Sequence, residues 1–166
     1  MSEPPCIKFF LASTCLNTDG TITNTDGRVS IGGVLRNSNG DMVAVFTKNV
    51  GITSILQAEL WDIYEGILIA CSLEIPKLWT QSDCQQVVEL LDDGGRSTSN
   101  ISLVRAIANL RQRAWETKVQ WIPRSRNTIA DKLAKLASWQ HFSMTHFEHP
   151  PAELADLLHR EAEATK

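Results

Sequence analysis

The most constraining feature of the sequence is Asn39-Gly40, set between two apolar runs. Val29, Ile31, Val34 and Leu35 precede it, and Met42, Val43, Val45 and Phe46 follow. Asn-Gly in that setting is the strongest short-range hairpin signal, because both residues of the tight turn need positive φ. The stretch Ser13 to Gly20 before it is strand-like and ends at a turn, so three consecutive antiparallel strands are expected. The pattern then changes. Residues 54–73 place Leu56, Leu60, Ile63, Ile67 and Ala70 at helical spacing. Gly66 inside that helix costs about 1 kcal/mol against alanine and marks close packing on a sheet. Residues 77–81 read as a strand, 84–91 as a helix and 92–100 as a loop. Residues 101–115 read as a helix, 117–123 as a strand and 127–139 as a helix with Asn127 at its N-cap.

The order is β-β-β-α-β-α-α-β-α. The expected fold class is α/β in the α+β sense: three antiparallel strands and two further strands in a mixed sheet, with helices packed on it. The length of 166 residues suits one domain. Residues 1–13 read as a lead-in, in which Phe9 and Phe10 are not placed. Residues 14–139 read as the domain and 140–166 as a tail. In the tail, Pro150-Pro151 opens a short helix carrying Leu154, Leu157 and Leu158 onto the domain or a protein partner.

Apolar residues at 43% and charged residues at 21% are ordinary for a globular chain and exclude a disordered one. A net charge of −3 gives no global attraction for a polyanion, so nucleic acid must be held by a local basic patch or by metal ions. Cys6, Cys15, Cys71 and Cys84 form no CxxC pair and read as reduced thiols. The N-terminal stretch lacks the pattern of a signal peptide, and no segment approaches the roughly 18 apolar residues of a membrane helix. A soluble, intracellular monomer without membrane contact is expected, in the nucleus or the cytoplasm. The Met-Ser-Glu-Pro-Pro start reads as that of a free-standing chain, the alternative being the terminal piece of a longer reverse transcriptase.

Four carboxylates carry the chemistry, and each has an ordinary reading beside a functional one. Asp19 stands in an Asp-Gly turn, as Asp26 does. Glu59 shares a helix face with Ile63, Gly66 and Ala70, whereas Asp62 and Glu65 fall toward the polar side. A carboxylate so placed needs a partner, and Arg36 can serve. Asp83 can cap the following helix with Gln86 three residues on, and Asp131 lies in a first helical turn, where the helix dipole favours it. Together they end strands or border the sheet-facing part of a helix, and the strand order can bring all four to one edge. The four histidines, His141, His146, His149 and His159, all lie in the tail, which argues against Ser-His or Cys-His nucleophilic chemistry. Carboxylates without histidine or thiolate suit hard cations such as Mg²⁺ or Mn²⁺.

The motifs LNTDG, QAELW, QSDC and RNTIADKLAKLA, in that order, resemble the four motifs of ribonuclease H type 1. They are most similar to the plant reverse-transcriptase-like ribonuclease H domains of retroelement origin, as are GGVLRNSNG and FEHPPAEL, and the resemblance covers roughly residues 14–160. It implies a metal-dependent endoribonuclease that hydrolyses the RNA strand of RNA/DNA hybrids, with Asp19, Glu59, Asp83 and Asp131 as metal ligands and catalytic residues. Two Mg²⁺ ions are implied, with Mn²⁺ as a substitute. Asp19 bridges them, Asp131 completes the ion that activates water, and Glu59 and Asp83 complete the ion at the leaving 3′ oxygen. Gly20, Gln85 and Asn127 match positions near the hybrid backbone in relatives.

The chain departs from the pattern in four places. Pro123 to Arg126 holds no histidine where many relatives have one, and Arg124 or Arg126 can bind phosphate instead. Trp121 stands where plant members often have histidine, and Cys84 where serine commonly follows the third aspartate. The short 92–100 loop replaces the basic helix-loop of bacterial relatives. The alternative is therefore a catalytically weak or inactive domesticated domain that binds nucleic acid or protein. Arg105, Arg111, Arg113, Lys118, Arg124 and Arg126 read either as a solvated face or as a phosphate track. Trp61, Trp79, Trp115 and Trp139 read as core.

Overall fold

A computed structural model describes residues 13–22, 27–92, 101–113, 115–137, 144–147, 149, 151–154, 156–157 and 160. The lead-in with Phe9 and Phe10, most of the 92–100 loop, Trp139 and Leu158 lie outside the described residues.

Strands β1 (Thr14–Ile22), β2 (Arg28–Arg36) and β3 (Met42–Ile52) form the expected antiparallel meander. The β2–β3 connection is longer than a two-residue turn. Asn37 accepts the N–H groups of Asn39 and Asp41 through Oδ1, both at 3.0 Å, and only Gly40 takes positive φ, at 85°. The local Asx hydrogen bonds thus satisfy the turn in five residues, and Asn39 is relieved of the left-handed conformation its dipeptide suggests.

Helix α1 (Ile55–Ser72) leads to β4 (Lys77–Ser82), then α2 (Gln85–Leu91), α3 (Ser102–Arg111), β5 (Glu116–Trp121) and α4 (Thr128–Lys135). The Ser54 hydroxyl caps α1 by accepting the Gln57 N–H at 3.1 Å. Strands β4 and β5 run parallel to β1, and β6 (Thr145–Phe147), a strand not expected from the tail's pattern, pairs antiparallel with β3. The sheet order is β5-β4-β1-β2-β3-β6.

Register assigns the faces. Leu16 faces Leu35 across β1 and β2, and Asn17 faces Val34. Leu16 and Leu35 join Phe46, Leu60, Ile63, Ile67, Leu78, Val104 and Ile107 in the core under α1 and α3. A Cβ on Gly66 would stand 2.6 Å from Leu16 Cδ2, so this glycine does let the helix lie close on the sheet. Each fully buried Leu or Ile contributes roughly 1.5–3 kcal/mol. Val34 and Val45 pack on the opposite face with Ile129 and Leu133 of α4 and with Leu154 and Leu157 of the tail. No helix among the described residues is long and apolar enough to cross a membrane.

Cys15 is disulfide-bonded, which corrects the expectation of four reduced thiols, while Cys71 and Cys84 are free. Spacing reveals CxxC chemistry but not which cysteines the fold brings within bonding distance.

Candidate active site

The parallel register of β1 and β4 ends at Thr18 opposite Ser82. The next residue along each is an acid. Asp83 follows the last residue of β4, whereas Asp19 lies inside β1, which runs on to Ile22 paired with β2 in place of the expected turn, so the two carboxylates stand where the parallel pairing stops. The first three turns of α1 deliver Glu59, and the first turn of α4 delivers Asp131. All four lie close enough to share one electrostatic environment. Burial raises the Asp19 carboxyl from 3.8 to about 9, and Glu59, Asp83 and Asp131 each add to that shift. Burial likewise raises Glu59 from 4.5 to about 7, against the opposing hydrogen bond from the Gly20 N–H.

Glu59 lies 2% exposed. Its Oε1 accepts the Gly20 N–H at 2.6 Å, and Oε2 makes no hydrogen bond. Asp19 is 1% exposed, and its Oδ1 likewise has no partner. Arg36 does not neutralise Glu59 in the way the sequence allows: its Nη2 donates to Asn17 Oδ1 at 3.1 Å. An unpaired buried carboxylate costs several kcal/mol, which a proton or a cation removes. Oxygen-only donors with unsatisfied lone pairs fit a hard divalent cation. Among the described residues, no group of three or more His, Cys, Asp or Glu side chains is placed, as it stands, to hold a metal ion. The acids meet around Asp19.

Asp62 was expected on the polar side of its helix and is instead fully buried, accepting the Asp19 N–H through Oδ2 at 2.8 Å. Burial, then Glu59 and Asp19, push its pKa well above the ordinary aspartate range. The helix lies so flat on the sheet that its buried arc takes in Ala58, Glu59, Asp62, Ile63 and Gly66 together. The only sequence signal was the spacing of Asp62, three residues after Glu59 and so on a neighbouring face.

Asp83 does not cap α2, whose N-cap residue is Cys84 with no side-chain cap bond. The Ser82 hydroxyl accepts the Cys84 N–H at 3.1 Å, which leaves the Asp83 carboxylate to accept Asn127 Nδ2 at 3.2 Å. Asn127 occupies the N-cap position of α4 but makes no side-chain cap bond either. It is 1% exposed and donates to the Thr18 carbonyl at 2.7 Å. Asp131 keeps its first-turn place and pairs with Lys135 at 3.0 Å, partly exposed.

Gly20 is half-buried against Glu59, and Gln85 is exposed at the start of α2. Arg124 and Arg126 are exposed on the 3-10 turn that leads into α4. Of the basic residues of the candidate track, Arg111 is turned to the fold, donating to the Leu91 carbonyl and to Thr117 Oγ1. Trp79 is 8% exposed and Trp61 and Trp115 pack on the core, whereas Trp121 is 45% exposed with its Nε1 donating to the Asp83 carbonyl at 3.2 Å. His146 sits on β6, the opposite edge of the sheet from β5.

This strand order, with one acid inside β1 and another just after β4, is a ribonuclease H-like fold. The N-terminal ribonuclease H domain of a Mycobacterium tuberculosis protein superposes with a TM-score of 0.66, at 19% identity, over 93% of this chain and 99% of that one. The compost-derived LC11 ribonuclease H1, solved with an RNA/DNA hybrid, superposes with a TM-score of 0.64 at 19% identity, over 75% of this chain and 95% of that one. The family described as reverse transcriptase-like matches residues 17–137, and the chain belongs to that family. An Arabidopsis thaliana protein named "Putative ribonuclease H protein" is 32% identical over 144 residues, which is 86% of this chain. The chain spans 23% of that relative's length.

Proposed function

We propose that this domain is a ribonuclease H, an endoribonuclease that hydrolyses the RNA strand of RNA/DNA hybrids with divalent metal. The observation that carries the reading is the meeting of Asp19, Glu59, Asp83 and Asp131 with buried carboxylate oxygens left without donors. The name of the Arabidopsis relative and the hybrid bound by the LC11 enzyme support the substrate class.

Asp19, Glu59, Asp83 and Asp131 would hold Mg²⁺, or Mn²⁺ in its place, as two ions. Such ions make water a stronger acid and stabilise both ends of an in-line phosphoryl displacement. The chain's own residues do the rest. The Gly20 N–H orients Glu59, and the Asn127 amide orients Asp83. Exposed Arg124 and Arg126 supply phosphate contacts that position the backbone without reading sequence. Gly20 and Gln85 border the same edge as further substrate contacts, and a 2′-hydroxyl is what distinguishes the RNA strand there.

A labelled RNA/DNA hybrid incubated with the protein in Mg²⁺, and in parallel with EDTA, tests the reading. Cleavage to 5′-phosphate and 3′-hydroxyl ends that EDTA and Asp19→Asn both abolish is the expected result. The second reading, a binding module, draws on the exposed Arg124-Ser125-Arg126 turn and its lack of histidine. A hybrid shifted on a gel but left intact by the wild type in both Mg²⁺ and Mn²⁺ would replace the enzyme with that module.

A further inference from the structure

A chain of side-chain amides crosses the sheet beneath the acids. Arg36 Nη2 on β2 donates to Asn17 Oδ1 on β1 at 3.1 Å. The Asn17 Nδ2 donates to Gln81 Oε1 on β4 at 3.0 Å and, at the limit of 3.5 Å, to Asn127 Oδ1. Gln81 Nε2 passes the same sense on to Gln120 Oε1 on β5 at 3.1 Å. Asn127 Nδ2 ends the other branch on the Thr18 carbonyl and on Asp83 Oδ2. Asn17, Gln81 and Asn127 are 2%, 4% and 1% exposed, so no bulk water can replace these bonds.

An amide can be turned over, exchanging its donor and acceptor ends, and nothing inside an Asn or Gln side chain prefers one way up. The ends of this chain remove the choice. A guanidinium can only donate, whereas a carbonyl and a carboxylate can only accept. Arg36 therefore demands an oxygen from Asn17, which turns the Asn17 NH₂ toward Asn127 and asks an oxygen of it in turn. The Asn127 NH₂ is then presented to Thr18 and Asp83. Both ends select the same single arrangement, and reversal of Asn127 would set its oxygen against two acceptors.

We propose that Arg36 is a positioning residue for Asp83, acting through the amides of Asn17 and Asn127. It touches no acid of the cluster. It helps fix the direction of the donor that Asn127 gives Asp83 Oδ2, and so which Asp83 oxygen is held by that amide. The catalytic consequence rests on the nuclease reading above, but the direction of the amides does not.

The test separates the two. In ¹⁵N-labelled, metal-free protein, the Asn127 side-chain NH₂ should give two resolved protons with slow solvent exchange. Arg36→Met should speed that exchange by at least about tenfold, and Arg36→Lys, which restores a donor-only cation, should return it toward wild type. Asn17→Asp can still accept from Arg36 but cannot donate, so it should release Asn127 while keeping the arginine contact, and it serves if Arg36→Met does not fold. By calorimetry, Arg36→Met and Asn17→Asp should weaken Mg²⁺ binding by about 10-fold, the lower figure for loss of an outer-shell partner. Cleavage should lose kcat with KM for hybrid little changed. Unaltered Asn127 exchange in Arg36→Met or, if that variant does not fold, in Asn17→Asp overturns the proposal, even if Mg²⁺ binding changes. A wild type that binds no Mg²⁺ overturns the nuclease reading instead, and the exchange measurement still decides the role of Arg36.

Discussion

Helix α1 carries three carboxylates, Glu59, Asp62 and Glu65, on the parts of its surface that meet the protein, and treats them in two ways. Glu65 pairs with Lys48 of β3 at 3.2 Å, with side-chain exposures of 16% and 26%, and the same ammonium lies 5.7 Å from the Trp61 ring centre. Glu59 and Asp62, about two turns and about one turn nearer the helix start, are 2% and 0% exposed and are given backbone N–H groups of β1 in place of a cation. Where the helix only packs on the sheet, its acid is neutralised by a neighbour. Where it meets Asp19 and Gly20 of β1, its acids are buried with no ion pair among the described residues, and burial raises their pKa values. Stability is given up there, and such concentrations of buried like charge mark sites that act on something else.

The largest test of that contrast is Asp19→Asn. It should reduce hybrid cleavage by more than about a hundredfold, beyond the usual loss for an outer-shell partner. In metal-free buffer at neutral pH it should also raise the melting temperature, because folding no longer has to put a proton on an aspartate that is ionised in the unfolded chain. For a chain of this length roughly 2–4 °C accompanies each kcal/mol. A calorimetric scan with EDTA reads the second effect, and a lowered melting temperature would show that the acids stabilise each other rather than repel.

The pH dependence comes next. Asp19 keeps its proton in the folded chain up to about 9 and loses it near 3.8 when unfolded, and Glu59 does so between about 7 and 4.5. In that window the folded state binds more protons, so stability falls as pH rises. The contribution is fully present below the unfolded values and is gone above about pH 9. Scans from pH 5 to pH 9 in EDTA should show the melting temperature declining. Added Mg²⁺ should recover more of it at pH 8 than at pH 6, since metal displaces the protons. A flat metal-free profile would mean that the acids are not held apart from water.

A smaller, purely steric effect is expected opposite Asp19. Gly32 is its register partner, and a Cβ there would stand 2.5 Å from the Ala134 backbone nitrogen and 2.7 Å from Leu133 Cβ. Gly32→Ala should cost about 1–3 kcal/mol by overpacking, read as a lower urea midpoint, because a helix backbone cannot yield as a side chain can. Gly66→Ala meets the Leu16 methyl groups, which can shift a little, and should cost less.

Much of this was legible in the sequence, and the exceptions have physical causes. The element order follows from periodicity and turn chemistry, since those are local. Asp19 is an exception, because its Asp-Gly pair reads as a turn while β1 continues through it to Ile22 on its pairing with β2. The tail strand β6 has three residues and no periodic signal. Asp62 was assigned to solvent because the apolar stripe of α1 looked narrow. A helix lying on a sheet buries a wider arc, and a buried aspartate becomes tolerable once a strand N–H points at it. Asn127 and Asp83 both occupy sequence positions where helix capping is the ordinary reading. Each is claimed by the other through a contact 44 residues apart, which no local pattern encodes. Arg36 had two chemically reasonable partners, Glu59 and the Asn17 amide, and only the strand register decides between them.

Lys48→Met is the smallest effect and the sharpest control on the comparison. The pair it breaks is part-exposed, so solvent already screens it, and pairs of this kind contribute about 0–1 kcal/mol. The methionine keeps much of the apolar stem that lies over Trp61, while the cation–π contribution of about 0.5–1 kcal/mol is lost. The melting temperature should therefore fall by a few degrees at most, with the change shrinking at high salt as exposed ion pairs do. Hybrid cleavage and Mg²⁺ affinity should stay at wild-type values, because Glu65 is paired with Lys48 of β3 and is not among the groups that shift Asp19. If Lys48→Met weakened Mg²⁺ binding as Asp19→Asn does, the charges along α1 would form one coupled set, and the division of the helix into a packing half and an acid half would be wrong.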